Sequence, residues 1–418
     1  MPMPRVELIS DVFHYYYTAL ALHRQGFLGH YITGPSLLSD EGGLARLGGP
    51  FKRLWTERRL DGLPSRKVRR TWVPELMRRA IPRLGGSAER ANRVNNDWFA
   101  RRAAMMMQEC DVVHFVHSVG WKAARRAKRS GIKVVCDMRE EHPRFQERIL
   151  SEEASHLGIP FRVPGASFRH RVLEEIELAD FIFCPSRYAR RTFLDQGIPA
   201  DRLVVCPYGV DLAAFDASAR PAAGKTFRIL FLGQICMRKG VHYLLEGFRQ
   251  AALPDARLIL AGPVDPAFRG VLDRYRGSFE ETGAVPRPLV RERYLDADVF
   301  VMPSLADSYG LVVSEAMSTG LPVIVSENTG MADSITDGRE GYVVPIRDSA
   351  AIAERLTLLY EHRDLGSAMG AAAMATAQSL DWNNYQAVCA DFYRTLFLGE
   401  KISARPVRTN PASPAARG

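Results

Sequence analysis

The stretch VFVMPSLADSYGLVVSEAMSTGLPVIVSE, residues 299–327, combines two strand-like runs with a helical segment between them. The runs at 299–304 and 322–327 are short, apolar and bounded by polar or turn residues, which is typical of buried strands. The segment 311–320 has a helical pattern. Strands that alternate with helices predict a parallel sheet with helices on both faces. This stretch therefore predicts one unit of a doubly wound α/β fold.

The same alternation continues in both directions along the chain. Further strand-like runs lie at 6–10, 111–117, 133–137, 181–186, 203–207, 228–233, 257–262 and 341–345, and further helical patterns at 241–252 and 350–362. A polar, proline-containing stretch at 216–225 separates the two series, which predict two doubly wound, Rossmann-like domains facing across a cleft. We expect a first domain at 1–205, a second at 206–385, a final helix at 386–400 that packs back on the first domain, and a disordered tail at 401–418.

The composition is typical of a globular protein with more than one core. The chain has 418 residues, of which 46% are hydrophobic and 25% charged. No apolar run reaches the roughly 18 residues of a membrane-spanning helix, and the start MPMPRVELISDVF does not resemble a secretory signal. The six cysteines are scattered, without CxxC pairs or Cys/His metal spacing, so we expect buried, reduced thiols in a cytoplasmic protein.

The net charge of +9 is concentrated in the segment 46–93, where paired arginines alternate with Trp55 and Trp72. Such a stretch suits peripheral contact with an anionic membrane at its inner face, or contact with an acidic acceptor. A solvated basic face on helices whose apolar side is core explains the pattern equally well. We expect no nucleic acid partner, because no recognised binding module accompanies the charge.

Two strand–loop–helix units carry the chemistry, since ligands of doubly wound sheets bind beyond the carboxyl ends of the strands. In FLGQICMRKG, residues 231–240, Gly233 allows close backbone approach and Arg238 and Lys239 add positive charge at a helix start. This arrangement suits a diphosphate. A surface basic pair before a helix is the alternative interpretation.

The second unit places two carboxylates eight residues apart, Asp307 in the loop and Glu315 in the following helix. Carboxylates suit hydrogen bonding to the vicinal hydroxyls of a ribose or a hexose. Tyr309, Gly310 and Leu311 would present backbone amides at the helix start. The alternative is that Asp307 caps the helix and Glu315 is a surface charge.

The order and spacing of several motifs resemble those of the retaining GT-B glycosyltransferases of family 4. The motifs are GQICMRKG, LAGP, GAVPR, YLDADVFVMPSLADSYGLVVSEAMSTGLPVIVSE and ITDGREGYVVP, preceded by PYGVD at 207–211. The resemblance is specific from about 170 to 385 and weaker before that. It implies a GT-B fold with the nucleotide sugar bound by the second domain and the acceptor on the first.

The resemblance implies a role for each residue of the first unit. Lys239 matches the lysine that binds the donor diphosphate. Gln234 stands where the family often has an arginine, and Arg238 supplies charge beside the lysine. Together with Asp307, Arg238 and Lys239 are therefore the expected catalytic residues, and Gly233 is expected at the donor.

The resemblance also divides the second unit between the two ends of the donor. Glu315 matches the glutamate that binds the nucleotide ribose, and the backbone around Val285 would face the base. Asp307 matches the glutamate that contacts the donor sugar, but it is one methylene shorter. The amides near the sugar and phosphate are expected at Tyr309, Gly310, Leu311 and Val312.

The first domain departs from the family pattern. Where a glycine-rich loop is usual, SDVFHYYYTAL at 10–20 brings His14 and three tyrosines. In KVVCDMREEHP the histidine that would reach the donor sugar and diphosphate is replaced by Arg139, which holds charge but cannot cycle a proton. His117 and His142 are substitute candidates, with a structural or acceptor-side role as the alternative.

The resemblance implies a retaining hexosyltransferase-like enzyme of polysaccharide or glycoconjugate biosynthesis. It would use a nucleotide sugar as co-substrate, with no cofactor and no metal, and a glycan, lipid-linked or small-molecule acceptor. The alternatives are a GT-B epimerase or phosphorylase, or a non-catalytic relative that binds sugar nucleotides.

Overall fold

The computed structural model describes residues 3–36, 60–71, 88–161, 166–217 and 224–399. These residues form two parallel sheets, one after the other along the chain, each with helices packed on it. The chain passes from the first sheet to the second between Val205 and Phe227. The two sheets with alternating helices confirm the predicted pair of Rossmann-like domains.

The first sheet has seven strands in the order β3-β2-β1-β4-β5-β6-β7. They are β1 (Val6–Ile9), β2 (Leu28–Thr33), β3 (Val68–Arg70), β4 (Val112–Val116), β5 (Lys133–Asp137), β6 (Phe181–Cys184) and β7 (Leu203–Val205). The helices with them are α1 (Tyr16–Arg24), α2 (Ala88–Met106), α3 (Trp121–Arg129), α4 (Pro143–Leu157), α5 (Ala166–Leu178) and α6 (Arg187–Leu194). The order reverses between β1 and β4, so a crevice opens at the carboxyl ends of these two strands.

The second sheet has six strands in the order β10-β9-β8-β11-β12-β13. They are β8 (Phe227–Leu232), β9 (Ala256–Ala261), β10 (Glu280–Gly283), β11 (Val299–Met302), β12 (Val323–Ser326) and β13 (Gly341–Val344). The helices are α7 (Val241–Ala251), α8 (Arg269–Leu272), α9 (Arg287–Leu295), α10 (Leu311–Ser318), α11 (Ser349–Glu361) and α12 (Arg363–Ala377). Here the switch point lies between β8 and β11, which are the strands of the two quoted motifs.

A last helix, α13 (Trp382–Leu398), packs on the first domain. Its Tyr385 hydroxyl lies 2.7 Å from the Thr18 hydroxyl in α1, and its Tyr393 hydroxyl lies 2.8 Å from His114 Nδ1 in β4. Phe392 meets Phe183 of β6 edge to face. The helix therefore ties the end of the chain to the first sheet, while the tail at 401–418 lies outside the described residues.

Three strands were not predicted from sequence: β2, β3 and β10. The glycine and histidine in LGHYIT interrupt the apolar run of β2, and the other two are short edge strands with partly or fully exposed side chains. Of the basic segment 46–93, the structure describes only 60–71 and 88–93, so Trp55 and Trp72 lie outside it. All six cysteines are free and buried, as predicted. Among the described helices, none is long and apolar enough to cross a membrane.

Candidate active site

The loop after β8 brings two cations to the switch point of the second sheet. Gln234 is exposed there, and a 3₁₀ turn over Met237–Lys239 leads through Gly240 into α7. Gly240 has φ of 64°, and a Cβ there would lie 1.9 Å from the carbonyl oxygen of Pro303. Only glycine allows this close approach, which places Arg238 and Lys239 beside the end of β11.

The same two cations contact the loop that follows β11. The Lys239 ammonium group forms an ion pair with Asp307, and Arg238 donates a hydrogen bond of 2.8 Å to the carbonyl oxygen of Ala306. Burial raises the pKa of Asp307, but Lys239 and Arg238 outweigh burial and hold it below its ordinary value. Asp307 is therefore a carboxylate, and it lies against the cations predicted to bind a diphosphate.

Asp307 is fixed through its backbone and does not cap a helix. Its N–H donates to the carbonyl of Asn328 at 2.9 Å, and its carbonyl accepts from Gly330 at 2.8 Å. The N-cap residue of α10 is Gly310, whose φ of 88° favours glycine and where a Cβ would lie 2.9 Å from the Thr329 methyl group. The interpretation of Asp307 as a capping residue is therefore wrong.

Glu315 is buried in α10, so the alternative of a surface charge is also wrong. Its side chain is 9% exposed and accepts hydrogen bonds from Arg287 at 2.6 Å and from the Tyr294 hydroxyl at 3.0 Å. Burial raises the pKa of Glu315 although Arg287 and Tyr294 oppose it. Arg287 and Tyr294 were not predicted as site residues, yet Arg287 ends the quoted motif GAVPR.

The other residues predicted to bind the donor lie in loops and helix starts of the second domain. Gly233 directly follows β8, and Val285 is a half-buried residue between β10 and α9. Tyr309 is buried, and its hydroxyl donates to the carbonyl of Tyr208. Leu311 and Val312 form the first turn of α10, where backbone N–H groups have no acceptor within the helix. Amides, cations and carboxylates thus lie along one edge of the second sheet.

On the first domain, Arg139 lies close to His14 and His117. Burial, with Arg139 as the next cause, lowers the pKa of His14 to about 3 and that of His117 to about 4. Both imidazoles are therefore neutral near pH 7. Within the described part of the chain, His14 Nε2, both ring nitrogens of His117 and Arg139 Nε have no hydrogen-bond partner. These three sequence-predicted side chains, called the first-domain cluster below, thus meet here with unsatisfied polar atoms.

His142 serves a different purpose from these three. Its Nδ1 accepts the N–H of Arg144 at 3.3 Å and caps the start of α4, while its own N–H donates to Thr192. Its ring packs edge to face on Phe193. Burial lowers its pKa to about 4. These contacts therefore favour the structural role that was the alternative interpretation of His142.

The two domains meet at the loop that carries Asp307. The Ser308 hydroxyl donates to the carbonyl of Arg139, and the Ser186 hydroxyl donates to the carbonyl of Ser308 at 2.6 Å. Asp333 accepts the N–H of Arg187 at 2.6 Å. These contacts bring the first-domain cluster close to the residues of the second domain that are predicted to bind the donor.

Sequence reasoning also missed Glu141, which is buried between the domains. One carboxyl oxygen accepts from Gln146 at 3.2 Å, and the other has no partner among the described residues. Burial raises the pKa of Glu141 to about 7, while nearby Arg238 acts in the opposite direction. Its place two residues after Arg139 in REEHP was the available signal. No three His, Cys, Asp or Glu side chains in the described ranges are grouped to hold a metal ion.

Two family models match successive parts of the chain. Residues 52–214 match the model of glycosyltransferase family 4, and residues 226–362 match that of the glycosyl transferases group 1. The chain belongs to the GT-B glycosyltransferases of family 4.

Relatives in the family share roughly 30% identity over part of the chain. A putative colanic acid biosynthesis glycosyltransferase, WcaL, from Salmonella typhimurium is 28% identical over 46% of this chain and 50% of its own length. A D-inositol 3-phosphate glycosyltransferase from Pseudarthrobacter chlorophenolicus is 30% identical over 57% of this chain and 61% of its own. A phosphatidyl-myo-inositol mannosyltransferase from Mycobacterium tuberculosis is 30% identical over 46% of this chain and 54% of its own. The chain thus spans roughly half of the relatives it matches.

Solved structures match over almost the whole chain. Sucrose-phosphate synthase from Thermosynechococcus elongatus has a TM-score of 0.62 at 17% identity and covers 95% of this chain and 100% of its own. Anabaena HepE in complex with UDP-glucose has a TM-score of 0.62 at 15% identity, with 94% and 100% covered. At these identities the likeness concerns the fold, which is GT-B.

Proposed function

We propose that the protein transfers a sugar from a nucleoside diphosphate sugar to an acceptor hydroxyl, with retention of configuration and without a metal ion. The observation that carries this proposal is the pairing of Lys239 with buried Asp307, with buried Glu315 eight residues further along. The two carboxylates flank the first turn of α10, whose free amides suit phosphate. One elongated ligand with hydroxyls at both ends and a diphosphate between them fits this order of groups.

In this proposal each group binds one part of the donor. Glu315 accepts hydrogen bonds from the ribose hydroxyls, and the backbone near Val285 faces the base. Lys239 and Arg238 bind the diphosphate together with the amides of Leu311 and Val312. Asp307 accepts a hydroxyl of the sugar. Since Lys239 already pairs with Asp307, the bound diphosphate shares a cation that is held in place beforehand.

The proposed chemistry breaks the bond between the anomeric carbon and the leaving phosphate oxygen. Negative charge grows on that oxygen, and Lys239 and Arg238 stabilise it. The acceptor oxygen forms the new bond on the same face of the sugar, which gives retention, and its proton goes to the departing phosphate. These steps require no group to act as a redox or metal centre.

The first domain supplies the acceptor side of the site in this proposal. Arg139 offers a positive charge, and neutral His14 and His117 offer nitrogens that either donate or accept. Relatives named for colanic acid biosynthesis and for phosphatidyl-myo-inositol support a glycan or lipid-linked acceptor. A cytoplasmic location with peripheral membrane contact through 46–93 belongs to the same proposal. Flotation with anionic vesicles at low and high salt tests it, and absence of binding at low salt refutes the contact.

A thermal-shift screen of UDP-, GDP-, ADP- and TDP-sugars tests the donor assignment. We expect one nucleotide to raise the melting temperature and the same donor to support transfer to an added glycan or lipid acceptor. Glu315→Ala is expected to remove the shift while the protein remains folded by circular dichroism. A wild-type protein that responds to no donor, or a Glu315→Ala variant that responds normally, would contradict the assignment. Transfer that continues unchanged in EDTA supports metal independence.

Arg139 favours a second candidate, a non-catalytic relative that binds sugar nucleotides, because it replaces the family's histidine. Tight nucleotide binding without transfer or hydrolysis across the whole donor panel would support that function instead. Conversion of a sugar nucleotide to its epimer without acceptor would support an epimerase.

A further inference from the structure

We infer that Glu153 is a positioning residue that fixes the first domain relative to the loop after β8, which carries Arg238 and Lys239 in the second domain. This inference rests on the proposed function, because it assigns Glu153 to the assembly of the same site. Glu153 lies in α4 of the first domain and its side chain is fully buried. Its carboxylate accepts three hydrogen bonds of 2.7 Å each, from His242 Nε2, the Tyr243 hydroxyl and Arg347 Nε. All three donors belong to the second domain.

The contacts show why this carboxylate is buried in the charged form. A lone buried carboxylate is strongly disfavoured, whereas charge-assisted hydrogen bonds to several donors stabilise it. Burial raises the pKa of Glu153, but the three hydrogen bonds outweigh burial and lower it to about 2. The carboxylate therefore needs either its three partners or water. The partners are available only when the two domains are in contact.

Chain connectivity links the Glu153 contacts to the site at both ends. The helix α4 begins just after Arg139, Glu141 and His142, so its orientation sets where these residues lie. His242 and Tyr243 open α7, directly after Lys239 and Gly240. A shift of Glu153 relative to α7 therefore moves the first-domain cluster relative to the donor cations.

Arg347 supports a specific rather than an incidental contact. It has φ of 64°, a left-handed conformation that favours glycine, yet an arginine occupies the position. Its side chain donates to Glu153, to Glu152 and to the carbonyl of Ile149. Arg347 thus makes three contacts with α4 from a backbone conformation that favours glycine, which supports a specific role for its side chain.

The experiment compares Glu153→Gln, Glu153→Ala and Tyr243→Phe with the matched control Glu152→Gln. Glu152 is the neighbouring carboxylate and also pairs with Arg347, but it is 46% exposed, and an exposed ion pair contributes little. We expect the Glu153 variants to show a larger radius of gyration by small-angle X-ray scattering and a kcat for transfer lowered by about tenfold. Their affinities for UDP, GDP, ADP and TDP should stay within about threefold of the wild type, because the nucleotide contacts lie in the second domain. The control should match the wild type in all three measurements.

The outcomes separate this inference from the proposed function. Wild-type scattering and kcat in both Glu153 variants would overturn it. If the wild type transfers no sugar, the proposed function fails, while the scattering of the variants still decides whether Glu153 holds the domains together. If Glu153→Ala does not fold, Glu153→Gln and Tyr243→Phe decide, since each keeps nearly the native volume. A fall in nucleotide affinity equal to the fall in kcat would show a general structural effect and also overturn it.

Discussion

The two halves of the candidate site differ in how their polar groups are paired. In the second domain Lys239 pairs with Asp307, and Glu315 accepts from Arg287 and Tyr294. In the first domain, by contrast, His14, His117 and Arg139 have ring or guanidinium nitrogens without partners in the ranges that the structure describes. The proposed donor side is thus organised by its own ion pairs, whereas the first-domain cluster is not.

In the proposed reaction, this difference predicts which half of the site affects donor binding and which affects sugar transfer. A preorganised set of charges stabilises a leaving group without rearranging during the reaction. A cluster of unsatisfied nitrogens gains most from a ligand that supplies the missing hydrogen bonds. We therefore expect substitutions in the second domain to affect donor binding and bond cleavage, and substitutions in the first to affect transfer alone.

The largest effect is expected for Lys239→Ala. The variant removes a fixed charge from the proposed diphosphate position, and loss of one such group typically lowers kcat by about 10²–10³-fold. Asp307 retains Arg238 as a neighbouring cation, so the fold should persist. Steady-state transfer assays with the donor found in the screen measure the effect.

Lys128→Ala is the matched control for Lys239→Ala. Lys128 forms an exposed ion pair with Asp180 at 2.8 Å on the surface of the first domain. Exposed pairs contribute little to stability. Equal turnover in the two variants would show that Lys239 does not act in the site. It would also contradict a donor side preorganised by the pair of Lys239 and Asp307.

The next effect is expected for Arg139→Ala, which tests the first-domain half. Loss of this charge should lower kcat by about tenfold to a hundredfold, with nucleotide affinity unchanged, because Arg139 lies outside the second-domain contacts. Arg139→Lys should recover part of the rate if charge alone matters. A drop in nucleotide affinity as large as the drop in kcat would show that the two halves do not divide the work as proposed.

The sequence predicted those parts of the fold and site that depend on residues close together in the chain. The strands β8, β11 and β12 and the helix α10 were predicted because apolar β-branched runs and the following helical pattern lie within short windows. The order of the two motifs also indicated that their ends meet at one edge of the sheet.

The missed residues depend on distant pairing instead. Glu153 meets His242 across 89 residues and Arg347 across 194, and neither spacing leaves a periodic pattern. Arg287, the first residue of α9, reaches Glu315 in α10 across 28 residues. The charge of Arg238 likewise acts on buried Glu141 from a distant part of the chain. Such polar contacts require the folded chain, because no local window contains both partners.

A smaller effect is expected for the pH dependence of stability in Glu141→Gln. The folded-state pKa of about 7 lies above the ordinary 4.5, so the folded protein binds the proton more tightly than the unfolded chain. The contribution of Glu141 to the free energy of unfolding is complete below pH 4.5. About 3 kcal/mol of it is lost as the pH rises toward 7. Glutamine mimics the protonated form, so the melting temperature of the variant relative to the wild type should rise by several degrees from pH 5 to pH 8. A constant difference across that range would show that Glu141 is not held in its neutral form.

The smallest and most specific effect is expected for Asp307→Glu, which restores the length of the family's residue at the sugar end of the donor. The backbone of Asp307 is fixed by Asn328 and Gly330, so an added methylene moves only the carboxylate. In the proposal this carboxylate binds a sugar hydroxyl, and a shift of that size changes discrimination between sugars by about tenfold, within the 1–3 kcal/mol typical of one methylene. The ratio of kcat/KM for two donors with the same nucleotide but different sugars measures the change. The overall affinity for the nucleoside diphosphate should remain constant, because Glu315 and Lys239 are untouched. An unchanged ratio with lower kcat/KM for both donors would indicate that Asp307 serves only to hold Lys239, and the sugar would then be selected elsewhere in the cleft.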